Sequence, residues 1–453
     1  MNTTDTIIAP ATALGGSIAI IRLSGPEALS ALEKFFCPTS KCQPFSSHHF
    51  YHGHFVSIDG EIIDEVMALF MAAPRSYTAE DVVEIHCHGS HQVVKDILSL
   101  YQQAGLRLAE PGEFTYRAFI NGRIDLSQAE GVASLIRSSS ESARRISYAQ
   151  AEGALGQAVF QFTDQLKNQL VFYEAWIDFP EENVPPVDLQ RSCSAIVEIA
   201  DQIDNLCNTY NHGKILLQGA SILLVGQPNV GKSSLLNYLL GEDRAIVTAT
   251  PGTTRDLLEE GLTIEGMPVR LIDTAGIRIT TDPVECEGVK RAEDKLSQAD
   301  LILILFDSTR EIDEQDQYII DQCTNRPHFY VWTKRDLAPF SDHNLVDSAS
   351  TYRISTKTGE GIDSLRRGMV SFLLGHQPLA NETVIISEQR HYEALYRVRT
   401  NLQNFISMSH ADEPAELLSF ELREALYWLG QISGETTTES LLDDIFSSFC
   451  IGK

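Results

Sequence analysis

The stretch that decides the fold is Gly226-Gln227-Pro228-Asn229-Val230-Gly231-Lys232-Ser233-Ser234. It fits the pattern G-x-x-x-x-G-K-[ST], in which glycines let backbone N–H groups turn inward around phosphate groups. The apolar residues 221–225 before it are typical of a buried parallel strand, and residues 234–240 after it are predicted to form a helix. A strand, this loop and a helix in that order predict an α/β nucleotide-binding domain.

This loop supplies groups that a nucleoside triphosphate needs. Lys232 is expected to reach the outer phosphates and to take part in catalysis, and Ser233 is expected to ligate Mg²⁺. The N-terminus of the following helix adds a dipole that favours the phosphate charge.

Two motifs downstream extend the predicted phosphate site. Thr254, within Thr253-Thr254-Arg255-Asp256, is expected to complete the Mg²⁺ shell once a γ-phosphate is present. Residues 271–276 end a predicted strand with the pattern D-x-x-G. Asp273 would hold Mg²⁺ through water, and the backbone N–H of Gly276 would meet the γ-phosphate.

A third region predicts recognition of the base. Residues 330–332 lead into Thr333-Lys334-Arg335-Asp336, where the Asp336 carboxylate can accept both N–H groups on the edge of guanine. Residues 354–357 would close over the base. Five elements in this order favour GTP over ATP. The predicted GTP-binding residues are Asn229, Val230, Gly231, Lys232, Ser233, Ser234, Thr248, Thr253, Thr254, Asp273, Thr274, Ala275, Gly276, Lys334, Asp336, Ser355 and Lys357.

The residue after D-x-x-G departs from a common pattern. Many GTPases place a glutamine there to orient the attacking water, whereas this chain has Ile277. A substitute must come from elsewhere, and the next loop offers the carboxylates of Glu285 and Glu287. Arg278 and Arg291 are possible cationic groups.

Composition sets wider bounds on the chain. Its 453 residues are 43% hydrophobic and 21% charged, which suits two to four globular domains. Eight scattered cysteines without a C-x-x-C pair, no apolar run of membrane-spanning length and no basic signal-peptide region favour a cytoplasmic protein. A net charge of −27 repels nucleic acid on average, so binding RNA would require local basic patches or a basic partner.

The pattern along the chain predicts an α/β and α fold with an insertion. Residues 1–120 mix strands and helices as an N-terminal α+β domain, whereas residues 121–218 and 376–453 show helical periodicity. Neither helical part would bury its apolar stripe alone. We therefore expect one helical bundle interrupted by a Ras-like doubly wound G domain over residues 219–375, with a linear string of three domains as the alternative.

Several motifs together resemble the tRNA modification GTPases called MnmE or TrmE. They are G-Q-P-N-V-G-K-S-S, A-T-P-G-T-T-R-D, D-T-A-G-I-R and the final F-C-I-G-K. Asp5-Thr6-Ile7, Pro111-Gly112-Glu113-Phe114 and Ile177-Asp178-Phe179-Pro180 also look like that family. The resemblance covers nearly the whole chain and implies a folate-binding N-terminal domain, a helical domain and a G domain inserted into the latter.

The resemblance implies an activity and partners. It implies a K⁺-activated GTP hydrolase that forms a homodimer and works with the FAD-dependent MnmG in a heterotetramer or larger complex. Together they would add an aminomethyl-type group, carboxymethylaminomethyl, at C5 of the wobble uridine of certain tRNAs. A reduced folate, 5-formyl- or 5,10-methylene-tetrahydrofolate, would supply one carbon. No membrane contact is implied.

The resemblance also implies roles for single residues. K⁺ would be held by Asn229, Thr248, Thr250 and Thr253. Glu285 would orient the attacking water. Folate would be bound by Arg22, Glu84, Arg123 and Lys453, with Cys450 as a possible group in the one-carbon chemistry.

Three features leave alternatives open. Thr333 stands where the guanine motif usually begins with asparagine; its hydroxyl can still tie the loops together, with a lower nucleotide affinity as the expectation. Arg123 stands where the family often has lysine, which keeps the charge but leaves the detailed folate geometry open. His86-Cys87-His88 with His91 has metal-ligand chemistry, although no further matching pair is evident. There are two rival functions: a ribosome-assembly GTPase switch, and a regulatory GTPase with a protein-binding N-terminal domain.

Overall fold

The computed structural model describes residues 4–40, 44–178, 189–243, 259–273, 296, 299–337, 350–375, 384–411, 413–447 and 449–452. They fall into two compact units. Unit 1 comprises Met1–Ala133, Gln150–Pro186 and Pro414–Lys453, and unit 2 comprises Ser134–Ala149 and Val187–Glu413. Each unit is thus assembled from segments that lie far apart in sequence.

Unit 1 contains a seven-stranded sheet in the order β3-β4-β5-β6-β2-β1-β7. The neighbours pair antiparallel, except that β1 and β7 are parallel. Its strands are β1 Ile7–Pro10, β2 Ile18–Ser24, β3 Phe36–Pro38, β4 His49–Val56, β5 Ile62–Met71, β6 Val82–His88 and β7 Arg107–Leu108. Alternate residues of β2 and β6 are buried, as half-buried strands require. The predicted α+β character of this part is confirmed.

Helices α1 (Ala28–Phe35) and α2 (His91–Gln103) contribute to the core of this sheet. Ser90 starts α2, because its side chain accepts a hydrogen bond from the backbone N–H of Gln92. The apolar face of α2 then buries Val94, Ile97 and Tyr101. The helical spacing of these three residues matches the burial of one face of the helix.

A buried ionic cluster ties the start of β1 to α3 (Glu113–Ile120). Arg117 is fully buried and donates to Asp5 Oδ1 (2.8 Å) and Glu113 Oε1 (3.1 Å). Arg107 donates to the same two carboxylates, at 2.8 Å from Asp5 Oδ2 and 2.6 Å from Glu113 Oε1. Glu80 lies 3.3 Å from Arg117 as a third acid. The cluster pairs the buried Arg117 and the partly exposed Arg107 with carboxylates.

Among the remaining helices of unit 1, the long α6 (Ala154–Asp178) packs against α13 (Ala415–Ser433). The others are α4 Leu126–Arg137, which continues past the unit boundary, and α14 Glu439–Ser447. Leu126 of α4 and Phe446 of α14 are both fully buried in one apolar cluster. None of the helices in the described ranges is both long and apolar enough to cross a bilayer.

Unit 2 pairs α7 (Leu189–Asn208) with α12 (Gln389–His410). Both predicted apolar stripes are buried, which confirms their helical periodicity. The buried residues are Ile196, Ile199, Ile203 and Leu206 on α7, and Leu395, Val398, Leu402 and Phe405 on α12. Two further helices belong here, α5 Glu141–Ala151, whose last residues belong to unit 1, and α8 Tyr210–Gln218, which leads into the nucleotide domain.

The described residues of the nucleotide domain form a six-stranded sheet in the order β13-β12-β11-β8-β10-β9. All neighbours are parallel except the edge strand β9, as a doubly wound sheet predicts. The strands are β8 Ala220–Val225, β9 Glu259–Ile264, β10 Met267–Asp273, β11 Leu301–Asp307, β12 His328–Thr333 and β13 Thr351–Arg353. The helices are α9 Lys232–Asp243, α10 Glu314–Cys323 and α11 Ile362–Leu374. Because β8 and β11 are buried along their whole length, the sheet is covered on both faces.

Candidate functional site

The phosphate loop follows β8 and ends where α9 begins at Lys232. Gly226 and Gly231 have φ values of +154° and +103°, and Asn229 has +66°. A Cβ on Gly226 would lie 2.6 Å from the carbonyl oxygen of Leu305, so this close approach requires glycine. The loop therefore adopts the turn that its sequence pattern predicts.

Lys232 and the serine after it lie where the phosphate loop meets the start of α9. Lys232 Nζ donates to the carbonyls of Gly226 (2.6 Å) and Gln227 (2.9 Å), which holds the ammonium against its own loop. Ser233 and Ser234 are exposed in the first turn of α9. A hydroxyl at this helix end can serve as a ligand to a cation that bridges phosphates.

The guanine loop begins at the end of β12. Lys334 has a φ of +57°, and its Nζ lies 2.6 Å from Asp307 Oδ2 at the end of β11. Burial alone would raise the pKa of Asp307, but hydrogen bonds from Lys334 and Thr309 outweigh it and lower that pKa. An ionised Asp307 fixes the lysine side chain at the carboxyl edge of the sheet.

Thr333 joins the guanine loop to the phosphate loop. Its Oγ1 lies 2.5 Å from the carbonyl oxygen of Val230 and 3.0 Å from that of Phe306. Thr333 is only 2% exposed, so water does not compete for this hydroxyl. The threonine thus links the guanine loop to the phosphate loop.

Asp336 and Ser355 lie together at the same edge. Ser355 Oγ donates to Asp336 Oδ1 at 2.7 Å and is itself fully buried. The backbone N–H of Lys357 approaches Ser355 Oγ at 3.3 Å, while the Lys357 side chain is exposed. The buried serine orients the carboxylate that was predicted to read guanine.

The remaining predicted nucleotide residues fall mostly outside the described residues. Asp273 is the last residue of β10, and its backbone pairs with Leu224 in β8. Asp273 is thus described, whereas the following residues named in the sequence lie outside the described ranges: Thr248, Thr250, Thr253, Thr254, Thr274, Ala275, Gly276, Ile277, Arg278, Glu285, Glu287 and Arg291.

A second candidate site lies in unit 1, where Arg22 of β2 and Glu84 of β6 are direct partners across the sheet. Glu84 Oε1 accepts hydrogen bonds from Nε (2.9 Å) and Nη2 (2.8 Å) of Arg22. His86 and Arg22 together lower the pKa of Glu84 despite its burial. The site therefore presents an ionised carboxylate held by a guanidinium.

Aromatic rings and a further cation surround Arg22. Its guanidinium lies 5.5 Å from the ring centre of Tyr77 and 5.8 Å from that of Phe114, which are cation–π distances. Burial raises the pKa of Tyr77, and the positive charges of Arg22 and Arg123 partly offset that rise. Arg123 itself is exposed. Three of the predicted folate residues thus influence one small region.

The C-terminal segment approaches the same region. The carbonyl oxygen of Gly452 lies 3.4 Å from Arg22 Nη1, and that of Cys450 accepts from the backbone N–H of Gly112 at 3.5 Å. The Cys450 side chain is exposed, whereas Lys453 lies outside the described residues.

The histidines considered as metal ligands have acidic neighbours. His88 Nδ1 lies 2.7 Å from Asp64 Oδ1, and His86 Nε2 lies 3.5 Å from Glu84 Oε2. Within the described ranges, no group of three or more histidine, cysteine, aspartate or glutamate side chains could hold a metal ion.

Comparisons with known proteins decide the family. A model of the MnmE helical domain matches residues 126–450, and a model of the GTP-binding protein TrmE N-terminus matches residues 6–123. The chain belongs to the MnmE family of tRNA modification GTPases. As an MnmE family member it is a GTP-hydrolysing enzyme, and the predicted combination of N-terminal, helical and G domains is confirmed.

Relatives of similar length support this assignment. A protein named tRNA modification GTPase MnmE from Syntrophotalea carbinolica is 47% identical over 99% of both chains, and one from Natranaerobius thermophilus is 43% identical over 100% of both. Among solved structures, the G domain of the T. maritima FeoB iron transporter is 28% identical over 34% of this chain and 98% of that one. Because the TM-score of this match is 0.27, it does not support the family assignment, which depends on sequence similarity.

Sequence reasoning missed several residues of these sites. Asp307 ends a fully apolar strand next to β8, and a carboxylate at that edge of a parallel sheet is itself a signal. Gln227 donates through Nε2 to Asp313 Oδ1 at 2.6 Å, and Asp313 caps α10. Tyr77 gave no local signal, because an aromatic residue between strands most often serves a core, and Phe114 was noted only as part of a family-like motif.

Proposed function

We propose that this chain hydrolyses GTP in the modification of tRNA, at C5 of the wobble uridine, where a carboxymethylaminomethyl group is added in certain tRNAs. The observation that carries the GTP part is the bond of Thr333 to Val230, which links the guanine loop to the phosphate loop. Similarity over the full length to relatives named tRNA modification GTPase favours this function over a ribosome-assembly switch.

The phosphate loop would hold the triphosphate and its magnesium. Lys232 would leave the carbonyls that it contacts and bind the outer phosphates, because their negative charge exceeds that of a carbonyl dipole. Ser233, exposed in the first turn of α9, has the hydroxyl that Mg²⁺ prefers as a ligand, and Thr254 would supply a second. Bound Mg²⁺ would offset the charge of the phosphates.

A monovalent cation would take the place that an arginine finger has in other GTPases. Asn229 is exposed in the phosphate loop, with a φ of +66°. Its amide oxygen, with Thr248, Thr250 and Thr253, would hold K⁺ between the G domains of a homodimer. When bound, K⁺ would offset transition-state charge. Glu285 would orient the attacking water in place of the absent glutamine.

The Arg22–Glu84 pair would bind a reduced folate, 5-formyl- or 5,10-methylene-tetrahydrofolate. A pterin ring carries adjacent N–H donors that match an ionised carboxylate such as Glu84, and its face suits the ring of Tyr77. Arg123 and Lys453 would receive the glutamate carboxylates. Cys450, exposed near this pair, is a candidate group in one-carbon transfer.

Partners would complete the reaction in the cytoplasm. The FAD-dependent MnmG would join the homodimer in a heterotetramer or larger complex and supply the redox chemistry. Because this chain has a net charge of −27, tRNA would be held by local basic side chains or by the partner.

The test is the rate of GTP hydrolysis in K⁺ and in Na⁺ at matched ionic strength. We expect K⁺ to raise the rate in the wild type, and Asn229→Ala to lose that stimulation while still binding GTP. Gln227→Ala is the matched control, since this neighbour in the same loop directs its side chain to Asp313 and not to a cation. Equal rates in both salts, or full stimulation of Asn229→Ala, would refute the proposed cation site.

A further inference from the structure

An open groove of about 550 Å³ lies between the beginning of α7 and the end of α12, entirely within unit 2. Its lining residues are Gln190, Cys193, Ser194, Val197, Glu198, Ser409 and His410. A groove of this volume can admit a small molecule. None of its residues belongs to the nucleotide site or to the Arg22–Glu84 site.

A thiol and an imidazole meet in this groove. Cys193 Sγ lies 3.6 Å from His410 Nε2, a hydrogen-bond distance for sulfur. Cys193 is 9% exposed and lines the groove, while His410 is exposed at the end of its helix. A base in contact with a thiol can take its proton and so produce the thiolate, which is the nucleophilic form.

Cys193 is buried like three other described cysteines, but it lines the groove and contacts His410. Burial raises the pKa of Cys87, Cys207 and Cys323 to about 11, which keeps these thiols protonated and inert at neutral pH. Cys207 lies on the same helix as Cys193, so the two differ in surroundings and not in secondary structure. Position in the groove beside His410 is therefore what sets Cys193 apart.

We propose that Cys193 is a modification site for low-molecular-weight disulfides, with His410 as its base. His410 Nε2 takes the proton of the Cys193 thiol, and the thiolate attacks one sulfur of the incoming disulfide. The incoming S–S bond breaks as the new one forms, and the leaving thiolate receives the proton from His410. Cys193 is oxidised to a mixed disulfide, and half of the incoming disulfide is reduced to a free thiol.

The experiment uses the full chain and glutathione disulfide at about pH 6, with peptide-resolved mass spectrometry of each cysteine over time. A base in contact with a thiol takes its proton as the thiol attacks, and we expect this contact to speed the reaction at this pH by roughly three- to tenfold. We expect Cys193 to react faster than the exposed Cys37 and Cys450 by that factor, and Cys207 to remain unmodified.

Two variants separate the base from the groove. His410→Gln should slow the reaction of Cys193 by roughly three- to tenfold, to the rate of an ordinary thiol. Ser409→Ala changes the neighbouring residue that lines the same groove and should leave the rate unchanged. GTP hydrolysis by each variant verifies that it is folded.

Two results would overturn the proposal. One is a Cys193 rate in His410→Gln equal to that of the wild type. The other result concerns the wild type alone. We expect the reaction rate at Cys193 to level off at a lower pH than the rate at Cys450, and a parallel rise of both rates between about pH 5.5 and 8.5 would contradict the proposal. Because the Glu198 carboxylate also lines this groove, Glu198→Gln should keep the levelled profile, and a profile lost in this variant would assign the effect to the carboxylate.

Discussion

Replacing Thr333 with valine removes one hydroxyl while leaving the side chain nearly the same shape. In the wild type that hydroxyl has a single hydrogen, so it can donate to the carbonyl of Val230 or to that of Phe306, but not to both at once. Val230 is 2% exposed, and its carbonyl would lose this donor in the variant. The link between the phosphate loop and the guanine loop would then be broken.

The size of the effect follows from the burial of that carbonyl. Leaving a buried acceptor unpaired costs about 1–3 kcal/mol. In the free protein, the phosphate loop can relax until the carbonyl reaches water, which recovers much of this cost. Binding of a nucleotide must return the loop to its former position, so the cost is transferred to binding. A penalty of about 1–2 kcal/mol weakens affinity by roughly 5- to 30-fold.

Titration with a fluorescent GDP analogue measures this effect. Thr333→Val should raise Kd by that factor, and Thr333→Ser, which keeps the hydroxyl, should stay within about twofold of the wild type. Thr333→Asn supplies two N–H donors for the two carbonyls and should bind at least as tightly as the wild type. If Thr333→Val binds GDP with unchanged affinity and melts at an unchanged temperature, the hydroxyl does not couple the loops.

Three further predictions concern unit 1. Tyr101→Phe should raise stability by about 1–2 kcal/mol in thermal denaturation, because the fully buried Tyr101 hydroxyl has no hydrogen-bond partner among the described residues; a loss would show that it has one. Hydrogen bonds from arginine lower the pKa of Asp5 from its ordinary 3.8 and, despite burial, that of Glu113 from its ordinary 4.5. The free energy of unfolding, measured by urea denaturation, should therefore be highest above about pH 5 and should decrease as the pH falls through the folded-state pKa values. Equal free energies of unfolding at about pH 6 and 3.5 would contradict this. Arg22→Ala should weaken calorimetric binding of 5-formyl-tetrahydrofolate, while the exposed Arg75→Ala should not.

Much of the fold could be predicted because its signals are local. The continuous apolar run of β11 and the helical spacing of Ile196, Ile199 and Ile203 each reflect burial of one element against the rest. The phosphate loop is equally local, since two glycines with positive φ and a following helix lie within a few residues. These elements could be placed without knowing what they pack against.

The contacts of the sites depend on pairing that no local pattern gives. Arg22 meets Glu84 only because β2 and β6 pair in one register, and a shift of one residue would place Glu84 on the opposite face. Gly452 reaches Arg22 from the far end of the chain. The family resemblance implied that Arg22 and Glu84 bind a ligand, but the sheet register is what brings them together.

The ionic cluster around Arg117 in unit 1 shows that a residue can resemble the family because the fold needs it and not because the reaction does. Asp5 and Glu113 were noted in the sequence as similar to the family, without a role. Both carboxylates bind Arg117, which is fully buried, and the Glu113 side chain is fully buried as well. Removing one partner of such a buried charge pair typically costs about 3–5 kcal/mol, which is sufficient reason for Glu113 at its position. Likeness to the family at Glu113 is therefore evidence for the fold of the N-terminal domain, whereas Arg22 and Glu84, which are partly exposed, are the candidates for chemistry.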